Sequence, residues 1–175
     1  ARMTNKLFLT TLNGKKSNRT PIWIMRQAGR HLKEYRAIRK IQKDFISFCL
    51  NPEQASTVSL QPITRYNLDA AIIFSDILLV PFALGQSVKF KKDFGPLLGQ
   101  IDFNKMSKTN EIQFIDKLKP VYNSISLTSQ SSLLKNKDLI GFVGAPWTIL
   151  VYMINKISPK KNLTDKFFDD KILLY

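Results

Sequence analysis

Three short apolar runs constrain the fold of this chain more than any other feature of its sequence. They cover residues 21–25, 70–74 and 139–143, and each is followed at once by polar residues or a glycine-containing turn. Their length and their β-prone side chains are typical of strands. The run at 70–74 is apolar throughout, which indicates a strand that is buried on both faces, as in a parallel sheet.

Signals for helices lie between and after these runs. The sequence Asn-Pro-Glu at 51–53 supplies a capping residue, a proline for the first turn and an acid, so a helix is expected from there to about residue 66. Pro120 is expected to open a second helix to about residue 134, and Trp147 to begin a third. The alternation of strands and helices predicts an α/β fold with parallel strands and right-handed crossovers.

The composition fits one globular domain, since 44% of the 175 residues are hydrophobic and 23% are charged. Residues 1–20 are expected to form a leading arm or short helix. Residues 85–109 are expected to form loops or a small excursion, because glycine recurs there. The longest apolar stretch, 72–84, is interrupted by a serine, an aspartate and a proline, so no membrane-spanning segment is expected.

Positive charge is concentrated at the start of the chain. The net charge is +14, and residues 1–43 contain twelve Lys or Arg against a single acid, Glu34. Such a field attracts an anion, which could be nucleic acid, a lipid surface or a polycarboxylate. Solvated surface lysines are the alternative explanation for many of these charges.

The single cysteine, Cys49, has no partner for an internal disulfide or a metal site. We interpret it as core packing within a helix, and its isolation indicates a reducing compartment, so a cytoplasmic location is expected. No secretion signal, glycine-rich phosphate loop, paired metal-binding cysteines or nucleophile-elbow serine is evident in the sequence. Neither a cofactor nor a metal is therefore expected.

Polar side chains gather where the three predicted strands end. Arg26 and Arg30 follow the first strand, Ser75 and Asp76 follow the second, and a Gly-Ala-Pro turn at 144–146 follows the third. In parallel α/β folds this edge is where ligands bind. The sequence therefore predicts a functional site at this edge.

The two arginines suit the recognition of carboxylates or phosphates, because a guanidinium stays charged and can bind an anion through two parallel hydrogen bonds. Gly29 would let the backbone of this turn come close to a ligand, and ion pairs at the surface are the alternative role for the arginines. Asp76 would stay ionised near arginines and accept hydrogen bonds from the N–H donors of a ligand. Its alternative role is a helix cap or a structural ion pair.

Two further side chains are weaker candidates. Tyr152 falls in the first turns of the helix after the third strand, so its hydroxyl could reach the site, and ordinary packing is the alternative. His31 is the only histidine and has no ligand-spaced partners, so we interpret it as structural.

Three blocks of sequence carry a family pattern. The first reads Pro-Ile-Trp-Ile-Met-Arg-Gln-Ala-Gly-Arg at 21–30, the second Leu-Asp-Ala-Ala-Ile-Ile-Phe-Ser-Asp-Ile-Leu at 68–78, and the third Gly-Phe-Val-Gly-Ala-Pro-Trp-Thr at 141–148. In this order they resemble the uroporphyrinogen decarboxylase family, and the resemblance extends over residues 5–157. Lys33 and Phe82 depart from the residues that are usual in that family.

The resemblance implies a (β/α)8 TIM barrel whose substrate cleft lies at the carboxyl ends of the strands and faces a partner subunit in a homodimer. A full barrel needs about 250 residues. Residues 1–175 are therefore expected to be the N-terminal portion of a single barrel domain, containing the first three to four β/α units and lacking the C-terminal half.

The resemblance also implies a reaction. The family's enzyme is a carboxy-lyase of haem and porphyrin biosynthesis that converts the four acetate side chains of uroporphyrinogen III to methyls, giving coproporphyrinogen III and CO2 without a cofactor. Asp76 would accept hydrogen bonds from the pyrrole N–H groups and stabilise a protonated pyrrole, and Arg26 would bind carboxylates and donate a proton. The residues implied to bind substrate are Arg26, Gln27, Ala28, Gly29, Arg30, Asp76, Phe142 and Tyr152, of which Asp76 and Arg26 are also implied to be catalytic.

Three alternative functions stay open. The chain could be an incomplete or inactive piece of the decarboxylase that binds anionic tetrapyrroles weakly with negligible turnover. A corrinoid methyltransferase of the same superfamily would lack the Arg-Gln-Ala-Gly-Arg turn that is present here. A basic protein for RNA or membranes would interleave Lys and Arg with exposed aromatics, whereas the aromatics here fall mainly in apolar strands, so neither partner is expected.

Overall fold

The computed structural model describes residues 6–91 and 93–158, which form a mixed α/β fold. It divides into unit 1, Ala1–Asp76 with Leu118–Phe142, and unit 2, Ile77–Lys117 with Val143–Tyr175. In chain order the elements are α1 (Leu7–Leu12), α2 (Lys33–Lys40), α3 (Phe45–Cys49), α4 (Pro52–Arg65), β1 (Ala70–Ile72), α5 (Leu79–Ala83), β2 (Val88–Lys91), β3 (Gly95–Leu98), α6 (Phe103–Ser107), α7 (Glu111–Ser129), a 3-10 turn (Ser132–Leu134), β4 (Asp138–Ile140) and α8 (Pro146–Asn155).

The sheet of unit 1 consists of β1 and β4, which pair in parallel with Ala71 opposite Leu139. This confirms the prediction that the runs at 70–74 and 139–143 are adjacent parallel strands. The regular pairing is shorter than either run, although the Ile73 N–H still donates to the Ile140 carbonyl at 3.0 Å. The run at 139–143 leaves the sheet after Ile140, and Phe142 is 43% exposed. The strand is therefore shorter than the apolar run predicted.

The prediction of a first strand at residues 21–25 is wrong, because no strand forms there. The segment does lie beside the start of β1, where the Asp69 N–H donates to the Ile22 carbonyl at 2.8 Å. A ladder does not follow, because side chains take the place of backbone partners. The Asp69 carboxylate accepts from the Ile22 N–H at 2.7 Å, and the Gln27 side chain accepts from the Ile24 N–H at 3.2 Å.

The helix predicted from residue 51 is confirmed as α4. The Asn51 side chain caps it by accepting from the Gln54 N–H at 3.0 Å, and Pro52 occupies the first turn. Pro62 lies inside this helix. Around α4, buried side chains of unit 1 form two apolar clusters, one of Leu32, Tyr35, Phe48 and Val58, and the other of Ile63, Leu68, Ala71 and Leu134.

The prediction that Pro120 opens a helix is wrong. Helix α7 begins at Glu111 and contains Pro120. Asn110 and Gln113 start it with a reciprocal pair of hydrogen bonds, in which each side-chain oxygen accepts from the other residue's backbone N–H, at 2.9 and 3.4 Å. The helix continues through Pro120 although a proline removes one backbone hydrogen bond from a helix interior. The helix ends at Ser129 rather than near residue 134, where the 3-10 turn follows.

Unit 2 contains the antiparallel hairpin of β2 and β3, within the region expected to hold loops or a small excursion. Helix α8 begins at Pro146, as the sequence predicted to within one residue. Gly144 precedes it in a crowded position, because an added Cβ would lie 2.4 Å from the Ile149 side chain. No helix in the described parts of the chain combines the length and the apolar character that crossing a membrane requires.

Candidate functional site

Arg26 and Arg30 lie in the irregular turn between residues 25 and 32, and both side chains are exposed. Within residues 6–91 and 93–158, the ion pairs join Arg19 to Asp69 and Arg65 to Glu34. Arg26 and Arg30 take part in neither pair. The alternative of surface ion pairing is thereby weakened, because Glu34 is engaged at both oxygens by Arg65, at 2.9 and 3.0 Å. Two guanidinium groups are left facing solvent on one turn.

Gln27 differs from the arginines on either side of it. Its side chain is only 2% exposed. The amide nitrogen donates to the Ala70 carbonyl at 3.1 Å, and the amide oxygen accepts from the Ile24 N–H at 3.2 Å. Gln27 therefore ties the arginine turn to the start of β1.

Ala28 and Gly29 are both half-buried in this turn. An added Cβ at Gly29 would meet only the His31 ring, at 3.6 Å, which is an ordinary contact. Crowding within the described protein therefore does not require glycine there. The His31 ring stacks on Tyr66 with centroids 6.2 Å apart, which supports the structural interpretation of the histidine.

Asp69 and Arg19 form a polar contact that the sequence reasoning missed. Asp69 is 6% exposed, and its two carboxylate oxygens accept from the Arg19 guanidinium at 2.5 and 2.7 Å. Arg19 holds the pKa of the Asp69 carboxyl below its usual range, against the opposing effect of burial. The signal in the sequence was a carboxylate immediately before an apolar strand, where a buried acid needs a cationic partner.

An aromatic cluster of unit 1 surrounds Phe74, just beyond β1. Its ring centroid lies 4.7 Å from that of Phe48 and 5.8 Å from those of Tyr35 and Phe45. Phe48 is fully buried. This packing fixes the backbone just beyond β1, two residues before Asp76, which is half-buried.

Electrostatic effects locate charged groups around this cluster. Burial raises the pKa of the Tyr35 phenol, and Arg39 and Arg30 oppose that rise. Burial also raises the pKa of the Cys49 thiol, and Asp76 adds to the rise while Arg39 opposes it. Arg30 and Asp76, two of the predicted site residues, therefore both act on side chains of one neighbourhood, and Arg39 acts on both of those side chains.

The buried Cys49 lies in α3, which confirms its interpretation as core packing within a helix.

Tyr152 is half-buried on α8, and its hydroxyl lies 3.4 Å from the Ser158 Oγ. Tyr152 belongs to unit 2, so its convergence with Arg26, Arg30 and Asp76 stays a prediction. The described residues contain no group of three or more His, Cys, Asp or Glu side chains that could hold a metal ion.

Comparison with known proteins identifies the family. A family model described as uroporphyrinogen decarboxylase (URO-D) matches residues 3–168. The chain belongs to the uroporphyrinogen decarboxylase family. The match includes all three sequence blocks that carried the resemblance, among them the turn with Arg26 and Arg30 and the residues after β1.

Individual members of the uroporphyrinogen decarboxylase family are similar over most of this chain. The uroporphyrinogen decarboxylase of Agrobacterium fabrum is 47% identical over 152 residues, which cover 87% of this chain and 44% of the relative. Those of Rickettsia bellii and Rickettsia massiliae are 49% and 44% identical, covering 78% and 96% of this chain and 40% and 49% of each relative. The chain thus spans less than half the length of these curated relatives.

Proposed function

We propose that this chain supplies the arginine turn and the aspartate of a uroporphyrinogen decarboxylase site. There the four acetate side chains of uroporphyrinogen III would lose CO2 and become methyls, giving coproporphyrinogen III. The observation that carries the proposal is the exposure of Arg26 and Arg30, outside the ion pairs of the described residues, on a turn within the family match. Other arginines of the region, Arg19 and Arg65, are engaged by carboxylates.

The arginine turn would bind the carboxylates of the substrate. A tetrapyrrole with acetate and propionate groups presents several carboxylates at once, and two guanidinium groups four residues apart can each hold one through two hydrogen bonds. Arg26 would also supply the proton that the reaction needs. The rest of the turn, Gln27, Ala28 and Gly29, would line the same part of the cleft.

Asp76 would stabilise the charge that develops during the reaction. When the bond between an acetate CH2 and its carboxylate breaks, the electron pair needs an acceptor, and a pyrrole that has gained a proton provides one. The CH2 carbon then takes a proton and becomes a methyl group, and the ring gives back the proton that it had gained, so each CO2 released consumes one proton in total. A carboxylate that accepts hydrogen bonds from the pyrrole N–H groups lowers the energy of this cationic state, which is electrostatic stabilisation aimed at the transition state.

The remaining parts of the proposal follow from the family. Phe142 would contribute an apolar wall and Tyr152 a substrate contact. Residues 1–175 would form the N-terminal portion of one (β/α)8 barrel domain within a cytoplasmic homodimer, in which the parallel pair of β1 and β4 is part of the barrel sheet. The reaction would need neither a cofactor nor a metal.

A second candidate function is tetrapyrrole binding with negligible turnover. It is favoured by one observation, that the match covers only 40–49% of the length of these relatives. Fixing an acetate near its proton donor requires walls on all sides, and a displacement of about 1 Å can lower a rate about 10²-fold. Binding tolerates such looseness better than catalysis does.

One assay tests both candidates. The purified chain, in excess over uroporphyrinogen, is incubated under reducing conditions, and the products are separated by their number of carboxylates. If the chain removes acetates as CO2 and an Asp76 variant does not, the decarboxylase is supported. If the chain binds the tetrapyrrole and removes no acetate, the second candidate is supported. If the chain neither binds nor converts the tetrapyrrole, both proposals are refuted.

A further inference from the structure

We infer that Asp69 is a positioning residue, which fixes the backbone that carries Arg26 and Arg30. The inference rests on the proposed function, because it assigns a task to a residue that lies outside the arginine turn. Asp69 forms hydrogen bonds with both the backbone N–H and the backbone carbonyl of Ile22. Its carboxylate accepts from the Ile22 N–H at 2.7 Å, and its own N–H donates to the Ile22 carbonyl at 2.8 Å.

The Asp69 carboxylate is itself held in one orientation. Arg19 donates to both of its oxygens, at 2.5 and 2.7 Å, so rotation of the carboxylate would break two charge-assisted hydrogen bonds. Asp69 is 6% exposed, whereas the Arg19 side chain is 47% exposed. The Asp69 carboxylate is thus the buried partner of this ion pair, and the half-exposed Arg19 side chain is the partner nearer to solvent.

Gln27 makes a second tie of the same kind at the end of the segment. It joins the Ile24 N–H to the Ala70 carbonyl, at 3.2 and 3.1 Å. Residues 22–27 therefore have three backbone groups in hydrogen bonds beside the start of β1. The Asp69 and Gln27 side chains accept from the Ile22 and Ile24 N–H groups, and the Asp69 backbone N–H donates to the Ile22 carbonyl. The place of the arginine turn depends on those side chains.

Apolar burial does not hold this segment in place. The side chains of Ile22, Ile24 and Met25 are 55%, 56% and 71% exposed. Trp23 alone of this run has an aromatic contact, edge to face with Phe8 at 6.3 Å. Since packing contributes so little, loss of the Asp69 contact should release the segment and with it Arg26.

The first test measures the position of the turn without any ligand. Trypsin cleaves after exposed Arg and Lys where the backbone can open locally, so it reports on the bonds after Arg26 and Arg30. In Asp69→Asn, cleavage at these two bonds, relative to cleavage after the exposed Lys108, is expected to rise about tenfold. Arg19→Gln, a milder change at a half-exposed side chain, should raise it less, and it serves if Asp69→Asn does not fold.

A matched control separates positioning from general loss of stability. Thr128 is buried, and its hydroxyl donates to the Ser124 carbonyl at 2.6 Å and contacts the Ser56 hydroxyl at 3.0 Å. Thr128→Val removes these hydrogen bonds from the same unit without touching residues 19–27. It should lower the unfolding midpoint without raising cleavage at Arg26 or Arg30.

The second test uses uroporphyrin, a stable oxidised octacarboxylate, as the probe. Asp69→Asn is expected to weaken its binding about tenfold. In a chain that already carries Arg26→Gln and Arg30→Gln, the same substitution should have no further effect, because residues that act through one another are not additive. An equal loss in both backgrounds would show that Asp69 acts independently of the arginines.

The outcomes separate the inference from the proposed function. Unchanged cleavage at Arg26 and Arg30 in Asp69→Asn, or an equal rise in Thr128→Val, would overturn the positioning role. If the wild-type chain and the Arg26→Gln/Arg30→Gln chain bind uroporphyrin equally, the proposed function fails, and the cleavage pattern still decides whether Asp69 fixes the turn.

Discussion

Each end of β1 carries an aspartate, and the two aspartates have different surroundings. Before the strand, Asp69 is buried and its two oxygens are engaged by Arg19 and by the Ile22 N–H. Beyond the strand, Asp76 is half-buried and acts on the buried Cys49 thiol, next to the aromatic cluster around Phe74. Asp69 thus lies in an ion pair with Arg19 before the strand, and Asp76 lies beside the aromatic cluster beyond it and is proposed to act on the substrate.

The arginines of the region divide in the same way. Arg19 and Arg65 bind carboxylates of the chain, whereas Arg26 and Arg30 are exposed and take no part in those ion pairs. In barrel enzymes the amino ends of the strands contribute stability and the carboxyl ends contribute catalysis. The comparison therefore predicts that substitutions of Asp69 mainly change stability and the position of the arginine turn, and that substitutions of Arg26, Arg30 and Asp76 mainly change ligand binding and rate.

The largest expected effect comes from the aromatic cluster that supports the carboxyl end. Phe48→Ala should lower the free energy of unfolding by about 3–5 kcal/mol, because it removes a fully buried ring that contacts Tyr35 and Phe74. Urea unfolding followed by circular dichroism measures this. Phe94→Ala is the control, since Phe94 is 57% exposed, and its change should stay within about 0.5 kcal/mol.

Asp76→Gly should have the next largest effect, on chemistry instead of stability. The rate of acetate loss from uroporphyrinogen is expected to fall by about 10²–10³ fold, as when one preorganised stabilising group is removed. The measurement uses chain in excess over substrate, so that slow loss of the first acetate is detectable. Asp138→Gly removes an acid that accepts from the Leu9 N–H at 3.0 Å, and equal rates for the two variants would remove the special role of Asp76.

The pH dependence of the free energy of unfolding should test the role of Asp69 at the amino end of β1. The pKa of Asp69 is held below its unfolded value of about 3.9. Its contribution is therefore fully present above that value and is lost as the pH falls towards the folded pKa. Wild type should exceed Asp69→Asn in free energy of unfolding by about 1–2 kcal/mol at neutral pH, and the difference should shrink below about pH 4. A difference that does not change with pH would contradict the assignment.

The smallest effect is expected for the other ion pair. Glu34 is partly exposed and Arg65 is half-exposed, so water and salt screen the contact between them. Arg65→Gln should leave the unfolding midpoint within measurement scatter, and any difference should vanish at high salt. A large loss would show that this pair, and not only Asp69, fixes the region around the arginine turn.

The sequence predicted the elements whose signals are local and missed those that depend on distant side chains. The cap at Asn51 and the apolar runs of β1 and β4 are read directly from neighbouring residues, and both were confirmed. The strand expected at 21–25 failed, because the Asp69 and Gln27 side chains take its backbone hydrogen bonds, and no local pattern shows that. The start of α7 was misplaced, because proline is a start signal only where no better cap precedes it.

The candidate site was predictable in part. Arg26, Arg30 and Asp76 stood out because polar residues directly follow apolar runs. Asp69, by contrast, resembled an ordinary start of a strand, since its importance depends on Arg19, which lies fifty residues earlier. Long-range pairing of this kind becomes visible only when the fold brings the two side chains together.

The most direct test of the account is the affinity of the chain for uroporphyrin in three forms, measured by porphyrin fluorescence at several salt concentrations. The account predicts that Arg26→Gln/Arg30→Gln weakens binding about 10²-fold, as expected when charged partners of a ligand are removed. Lys15→Gln/Lys16→Gln removes the same charge from exposed positions of the same basic region, and it should weaken binding less than about threefold. Equal losses in the two variants would show that the porphyrin responds only to net charge, and would contradict a carboxylate-binding site at the arginine turn.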